Sequence, residues 1–407
     1  METACLDGRD LDFERRCLGH RRHDIAGLAR RLRPEPVTFG RALRMLGLQS
    51  MGEQTTAQHL IRLDVLRFPL IVLIVYLHAC GFTINLADGS HALANADTVT
   101  AVQTVTGTIG RVAVPLFFLM SGFLFFRDIV FSVDSYRAKL ISRARSLLVP
   151  FLFWNLALFG LILVAQSVPL LASFFNGGTA PLRTLSLLQV ADSIMGITHY
   201  PIAYQFWFIR DLMVLVICAP LVWLAARYAA WPVLAVLSLA WLTVLWPVSV
   251  PECEPVLFFY LGSLVAIRGW SLFAVDRLSW WLAVPFAMGL AALAVFGGLG
   301  DASYLIRPTV AIGLVLALKA SRWLAESDRL REPLVLLGST SFFVFATHEP
   351  MVTIGKKVAF RFLPMTAGTV LTVYALLPIL VICVSLSAYW VLRTAAPGFL
   401  RLITGGR

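Results

Sequence analysis

The sequence predicts an all-α polytopic membrane protein with about ten transmembrane helices and both termini cytoplasmic. Three observations lead there. Of 407 residues, 58% are apolar and only 14% charged, well below the quarter usual in soluble globular domains. Apolar runs of about 20 residues, long enough to cross a hydrocarbon core, recur along most of the chain. The basic surplus, a formal net charge of +11, falls on alternate connections between those runs, as cytoplasmic loops require. This composition excludes a disordered chain and argues against a soluble enzyme of two or three domains. It also turns a charge that would suggest nucleic acid in a soluble protein into a topology signal, so no nucleic-acid partner is expected.

Residues 1–60 read as a basic N-terminal tail. The first fifty hold ten Arg and no long apolar run, so no cleavable signal peptide is expected and the first span acts as its own signal. The stretch is either a mobile cytoplasmic tail or an over-extended start, with Met45 or Met51 the initiator. The six cysteines, Cys5, Cys17, Cys80, Cys218, Cys253 and Cys383, form no CxxC and no close pair. They are expected to pack as small residues, with neither a metal site nor a disulfide framework.

Ten spans follow, near 66–86, 107–126, 147–167, 206–226, 232–250, 255–268, 280–299, 304–323, 334–353 and 366–392. The sixth is short. Pro150, Pro220, Pro308 and Pro378 lie inside spans, where kinks are tolerated if neighbours satisfy the freed carbonyls. With the N-terminus inside, and leaving out the tail, inner loops carry fifteen Lys and Arg and outer loops four, Arg183, Lys356, Lys357 and Arg361. That asymmetry sets the orientation. Residues 61–393 form the membrane domain and 394–407 a short cytoplasmic tail. No internal repeat is visible, which counts against a transporter built from inverted halves.

The first span opens with RLDVLRFPLIVLIVYLHAC, residues 62–80. Arg67 and His78 are eleven residues apart, three helical turns plus roughly 20°, so they share one face at a separation of about 16 Å. Asp64 lies on the same side, one turn below Arg67. An intramembrane imidazole must face a protein interior or a watery cavity. It can be a hydrogen-bonded core residue, but at its ordinary pKa it can also take a proton from a hydroxyl and return it to a leaving group. Arg67 reads first as a positive-inside anchor, and at an inner mouth it can also hold a phosphate.

Other polar groups fall on the outer half of the spans. Arg111 is placed near the outer end of the second span and Trp207, Arg210 and Asp211 at the outer start of the fourth. Arg307 falls at the outer start of the eighth, with His348 and Glu349 towards the outer end of the ninth. Each charge at mid-membrane costs about 2.5–3.5 kcal/mol, so seven such groups from four helices argue for a polar vestibule opening outward. Trp207 suits the apolar face of a sugar ring. Arg210 and Asp211, adjacent on a helix, are not expected to face each other.

These residues together resemble a family. The Arg67 to His78 spacing, RVAVPLFFLMSGFLFF (111–126), YRAKLISRARSLLVPFLFW (136–154), FWFIRDLMVL (206–215) and FATHEP (345–350) are similar to the acyltransferase 3 family of integral membrane O-acyltransferases, over roughly residues 60–393. The resemblance implies an enzyme of the inner (cytoplasmic) membrane. It would transfer an acyl group, commonly acetyl from cytoplasmic acetyl-CoA, to a hydroxyl of an envelope carbohydrate or lipid-linked glycan, with no bound cofactor. It implies that His78 is the essential histidine and Arg67 the first-helix basic residue near CoA. Where the family carries an RxxR pair, this chain offers Arg137, Lys139, Arg143 and Arg145 in a different spacing. Some relatives append an SGNH hydrolase-like domain; this chain, ending soon after its last span, resembles the stand-alone kind.

The expected chemistry joins these readings. CoA phosphates sit at Arg67 and the Arg137–Arg145 cluster, and the three-turn distance to His78 matches the reach of an extended pantetheine arm. His78 either deprotonates the acceptor hydroxyl for direct attack or is transiently acylated and relays the group outward. Two other readings stand beside the enzyme: a secondary transporter of a sugar or lipid-linked intermediate, and a scaffold subunit whose charges are internal ion pairs.

Overall fold

In lipid, backbone groups have no partner except one another, and runs of Leu, Val, Ile and Phe accordingly fold into helices. The computed structural model describes residues 53–406 apart from 82, 87–88, 93–96, 128–130, 169–170, 172–180 and 298–301. The first 52 residues of the expected tail, with Met45, Met51, Cys5 and Cys17, therefore lie outside the described residues. Ser50–Arg407 form one unit.

The elements are α1 (Glu53–Ala79), a hairpin of β1 (Thr83–Leu86) and β2 (Gly89–Ala92), α2 (Asp97–Arg111) and α3 (Ala113–Phe126). Next come α4 (Val133–Arg143), a π-helical turn (Ala144–Leu148), α5 (Val149–Ser167), α6 (Leu187–Met195), α7 (Trp207–Ile217) and α8 (Ala219–Tyr228). The chain continues through α9 (Ala230–Thr243), α10 (Cys253–Ile267), α11 (Ala283–Phe296), α12 (Ser303–Glu326) and α13 (Asp328–Gly338). It ends with α14 (Ser341–Phe362), α15 (Ala367–Ala395) and α16 (Pro397–Thr404). β1 and β2 pair antiparallel, Ile84 opposite His91.

Among the described residues, four helices are long and apolar enough to cross a membrane: Asp97–Phe126, Val133–Ser167, Ser303–Glu326 and Ala367–Ala395. Tyr204–Ile217 with Ala219–Tyr228, bent by 63°, makes a fifth if counted as one span. Shorter apolar helices occupy the expected fifth, sixth and seventh spans.

Extents differ from expectation in six places, the first being that α1 begins at Glu53, inside the stretch read as tail. α1 stops at Ala79, and Gly81, at φ +78°, turns the chain into the hairpin. The second helix begins ten residues earlier, at Asp97, since the Thr and Gln that lower its hydropathy do not prevent a helix. The basic stretch expected as a loop is helical from Val133, started by a reciprocal Ser132–Ser135 cap and carried by Arg, Lys, Ala and Leu, all strong helix formers. The fourth helix breaks at Cys218, ahead of Pro220. The ninth breaks at Ser339 and Thr340 and then runs on to Phe362.

α1 is central, packed against α2, α12, α13, α14 and α15. The closest packing is between α3 and α10. A Cβ added to Gly122 would lie 2.1 Å from the Phe259 carbonyl oxygen, and one on Gly262 would lie 1.9 Å from that of Leu119. Glycine at both positions lets the backbones touch, and the fully buried Phe118, Phe123, Phe125 and Phe259 fill the surroundings.

Candidate active site

One cavity of about 410 Å³ runs beside α1 and is lined at one end by Arg67, Arg143, Gly338 and Ser339 and at the other by His78, Gln205 and Trp207. Between them the wall is apolar, with Ile71, Ile74, Val114, Phe117 and Leu212 facing in. The eleven-residue spacing on α1 therefore becomes the length of a single slot, about 16 Å.

At the Arg67 end, Asp64 Oδ1 lies 3.2 Å from Arg67 Nη1. Arg143 reaches the cavity where α4 passes into the π-helical turn, and it feels the charge of Arg67. Gly338 lets α13 close on α1: a Cβ there would sit 3.0 Å from the Asp64 carbonyl oxygen. Directly after the break, α14 begins at Ser341, whose Oγ is buried without a hydrogen-bond partner among the described residues. Two guanidinium groups, two serines and a helix N-terminus converge here, a set that attracts phosphate. Of the other cluster residues, Arg137 and Arg145 are exposed and do not line the cavity. Lys139 donates to the carbonyl of Phe125 and lies 5.2 Å over its ring, closing the end of α3.

At the other end, His78 Nδ1 is hydrogen-bonded to the Tyr204 hydroxyl, and the His348 ring lies 5.0 Å away, centroid to centroid. His348 is fully buried. Its Nδ1 is 2.7 Å from the Phe345 carbonyl oxygen, which can only accept, so Nδ1 carries the proton. Its Nε2 has no partner among the described residues. The same holds for Gln205 Oε1, while Gln205 Nε2 donates to the Ala346 carbonyl at 3.2 Å. Gln205 and Trp207 line the cavity with His78, while His348 packs against the His78 ring without lining it. Glu349 accepts from Thr353 at 2.7 Å, behind this wall. Lys356, read from sequence as a loop charge, lies 3.2–3.4 Å from the carbonyl oxygens of His78, Ala79, Cys80 and Gly81. It caps the C-terminus of α1.

The remaining vestibule candidates go elsewhere. Arg210 and Asp211 do face each other, Nε to Oδ1 at 2.9 Å, because the long Arg side chain folds back along the first turn of α7. Arg210 Nη1 also donates to the carbonyls of Gly196 at 2.5 Å and His199 at 3.2 Å, and Asp211 Oδ2 accepts from Glu252 N at 2.8 Å. Both therefore hold loops. Asp192 helps, taking the Ile197 and Thr198 amides at 3.0 and 2.9 Å and the Thr198 hydroxyl. These bonds, the Thr198 hydroxyl first, hold its carboxyl down at about 2. Asn155, fully buried, accepts from Ala203 N at 3.1 Å. Together these groups fix the segment that leads into Tyr204 and Gln205.

Arg111 stands at the middle of the Asp97–Phe126 helix, not near its end, and Arg307 in the second turn of α12; neither lines the cavity. Among the described residues no group of three or more His, Cys, Asp or Glu is placed to hold a metal ion.

The chain is 26% identical over 316 residues to the succinoglycan biosynthesis protein ExoH of Rhizobium meliloti (strain 1021), covering 73% of this chain and 80% of that protein. No solved structure matches. The family described as "Acyltransferase domain", acyltransferase 3, matches residues 60–390, and the chain therefore belongs to that family of membrane acyltransferases.

Proposed function

We propose that this protein transfers an acyl group, acetyl by family resemblance, from cytoplasmic acyl-CoA to a hydroxyl of an exported or envelope carbohydrate. The observation that carries the reading is the single cavity joining Arg67 and Arg143 to His78. CoA phosphates are held at Arg67, Arg143 and the start of α14, and the pantetheine arm lies along the apolar wall with its thioester at His78. Tyr204 holds Nδ1 of His78, leaving Nε2 for chemistry. His78 takes the proton of the acceptor hydroxyl as its oxygen attacks the thioester carbonyl. The carbon–oxygen bond forms, the carbon–sulfur bond breaks, and the proton passes to the departing CoA thiolate. A carbohydrate fits the acceptor side because its hydroxyls can donate to Gln205 Oε1 while a ring face meets Trp207, both of which line the cavity. The similar ExoH protein, named for succinoglycan biosynthesis, supports a polysaccharide acceptor.

This reading carries its own topology: ten spans in the inner membrane, both termini and the Arg67 end of the cavity cytoplasmic, and the His78 end facing out. The test is a deletion strain complemented with wild type or His78→Ala, its glycans compared by NMR. Loss of O-acyl signals in the variant is expected. Normal acylation with His78→Ala would exclude both direct transfer and an acyl-histidine relay, and an acylated protein trapped in wild type but absent from the variant would favour the relay.

A further inference from the structure

The Arg67 end of the cavity is open. Arg67 exposes 42% of its side chain, and Ser339, which lines the cavity beside it, is exposed. Two residues further on, α14 starts at Ser341 with no side-chain cap. The Thr340 hydroxyl donates instead to the Leu337 carbonyl at 2.7 Å, and the Ser339 hydroxyl to the Leu336 carbonyl at 2.7 Å. The first amides of a helix have no carbonyl partner within it, so the uncapped end offers donors and a positive dipole to an anion. Ser341 lines the same cavity, is only 6% exposed, and its Oγ has no hydrogen-bond partner among the described residues. A buried hydroxyl left unpaired is costly, and an anionic oxygen seated here would accept from it.

Length selects which anion. From Arg67 to His78 the slot is about 16 Å long. In a phosphopantetheine thioester about 13 bonds separate phosphorus from sulfur, and an extended chain covers about 3.6 Å for every three bonds. The arm therefore reaches about 16 Å. From the 3′-phosphate of coenzyme A the path to sulfur is about 21 bonds, or about 25 Å. With sulfur at His78, the phosphate joined to pantetheine falls at the Arg67 end, and the ribose, adenine and 3′-phosphate lie beyond the open mouth.

We propose that Ser341, the N-terminus of α14, Arg67 and Arg143 seat the phosphate of a phosphopantetheine thioester, and that the protein recognises this unit and not the nucleotide attached to it. The two guanidinium groups supply charge and the fork geometry that phosphate oxygens accept. This deepens the acyl-transfer reading and rests on it for the position of the sulfur. Acyl-CoA and an acylated carrier protein share the unit.

The test is isothermal titration calorimetry on the full chain in uncharged maltoside micelles, with 4′-phosphopantetheine, pantetheine, dephospho-coenzyme A, coenzyme A and adenosine 3′,5′-bisphosphate as ligands. The first, third and fourth are expected to bind about equally, and pantetheine about ten- to hundredfold more weakly, the worth of a charge-assisted contact. Adenosine 3′,5′-bisphosphate should not compete. Ser341→Ala should weaken 4′-phosphopantetheine about two- to twelvefold, the worth of an ordinary hydrogen bond, and leave pantetheine unchanged, a split that a misfolded variant cannot give. Competition by a holo acyl carrier protein would extend the seat to a protein-bound donor, and its failure to compete would confine the seat to coenzyme A. Equal binding of pantetheine and its phosphate, competition by adenosine 3′,5′-bisphosphate, or equal losses for both ligands in Ser341→Ala would overturn the proposal. Acyl transfer that persisted in those cases would leave the acyl-transfer reading standing, whereas phosphate-dependent binding without any transfer would remove that reading and keep the seat.

Discussion

The hydroxyl of Tyr204 sits on Nδ1 of His78. This contact joins residues 126 positions apart and fixes which ring nitrogen of His78 remains available to a substrate. In the proposed reaction Tyr204 is a positioning residue, with His78 the group that exchanges the proton. Tyr204→Phe removes one hydrogen bond of ordinary worth, about 0.5–1.5 kcal/mol, so kcat should fall roughly two- to twelvefold with KM for acyl-CoA unchanged. His78→Ala should cost on the order of 10²–10⁴-fold. Steady-state kinetics on the purified protein separate the two; a Tyr204→Phe loss confined to KM would place the tyrosine in binding instead.

Within the basic cluster, only Arg143 reaches the cavity with Arg67. A charge-assisted phosphate contact is worth about 1.5–3 kcal/mol, so Arg143→Gln should raise KM for acyl-CoA about ten- to hundredfold and leave KM for the acceptor unchanged. Arg137→Gln and Arg145→Gln should change either constant less than about twofold. Equal effects at all three positions would mean that a diffuse positive field attracts the donor, with no seated phosphate.

How much of this was legible in sequence depended on whether a residue acts along its own helix or across helices. The Arg67 to His78 spacing could be read directly, since a regular helix fixes both distance and face. The Tyr204, Gln205 and Lys356 contacts could not, because each depends on how separate helices are brought together. Gly338 to Ser341 carried a signal, a Gly-Ser-Thr-Ser break inside an apolar window. Averaging hydropathy over twenty residues conceals such a break, and with it the helix N-terminus it creates. Arg210 and Asp211 misled for the opposite reason: a charge pair in a span resembles a functional pair, whereas here it ties Gly196, His199 and Glu252 to α7.

The α3–α10 contact gives a stability prediction independent of function. No side chain fits where Gly122 meets the Phe259 carbonyl at a Cβ distance of 2.1 Å, so Gly122→Ala must separate the helices. Overpacking of this kind costs about 1–3 kcal/mol. Thermal unfolding in micelles should show a lower midpoint for Gly122→Ala and for Gly262→Ala. Gly160→Ala, on α5 with open space at the Cβ position, should match wild type or exceed it slightly, since alanine favours a helix.

Asp192 ties the loop ahead of Tyr204, and its carboxyl is held at about 2 by the Thr198 hydroxyl and the amides of Thr198 and Ile197. The folded value lies below the ordinary carboxylate value of about 3.9, so the unfolded chain binds the proton first as pH falls. The stabilisation is thus fully present above pH about 4 and disappears as pH drops through about 2. Asp192→Asn should lower the unfolding midpoint at neutral pH, and its difference from wild type should shrink between pH 4 and pH 2. A difference that stayed constant over that range would show that the bonds to Thr198 and Ile197 do not need the carboxylate charge.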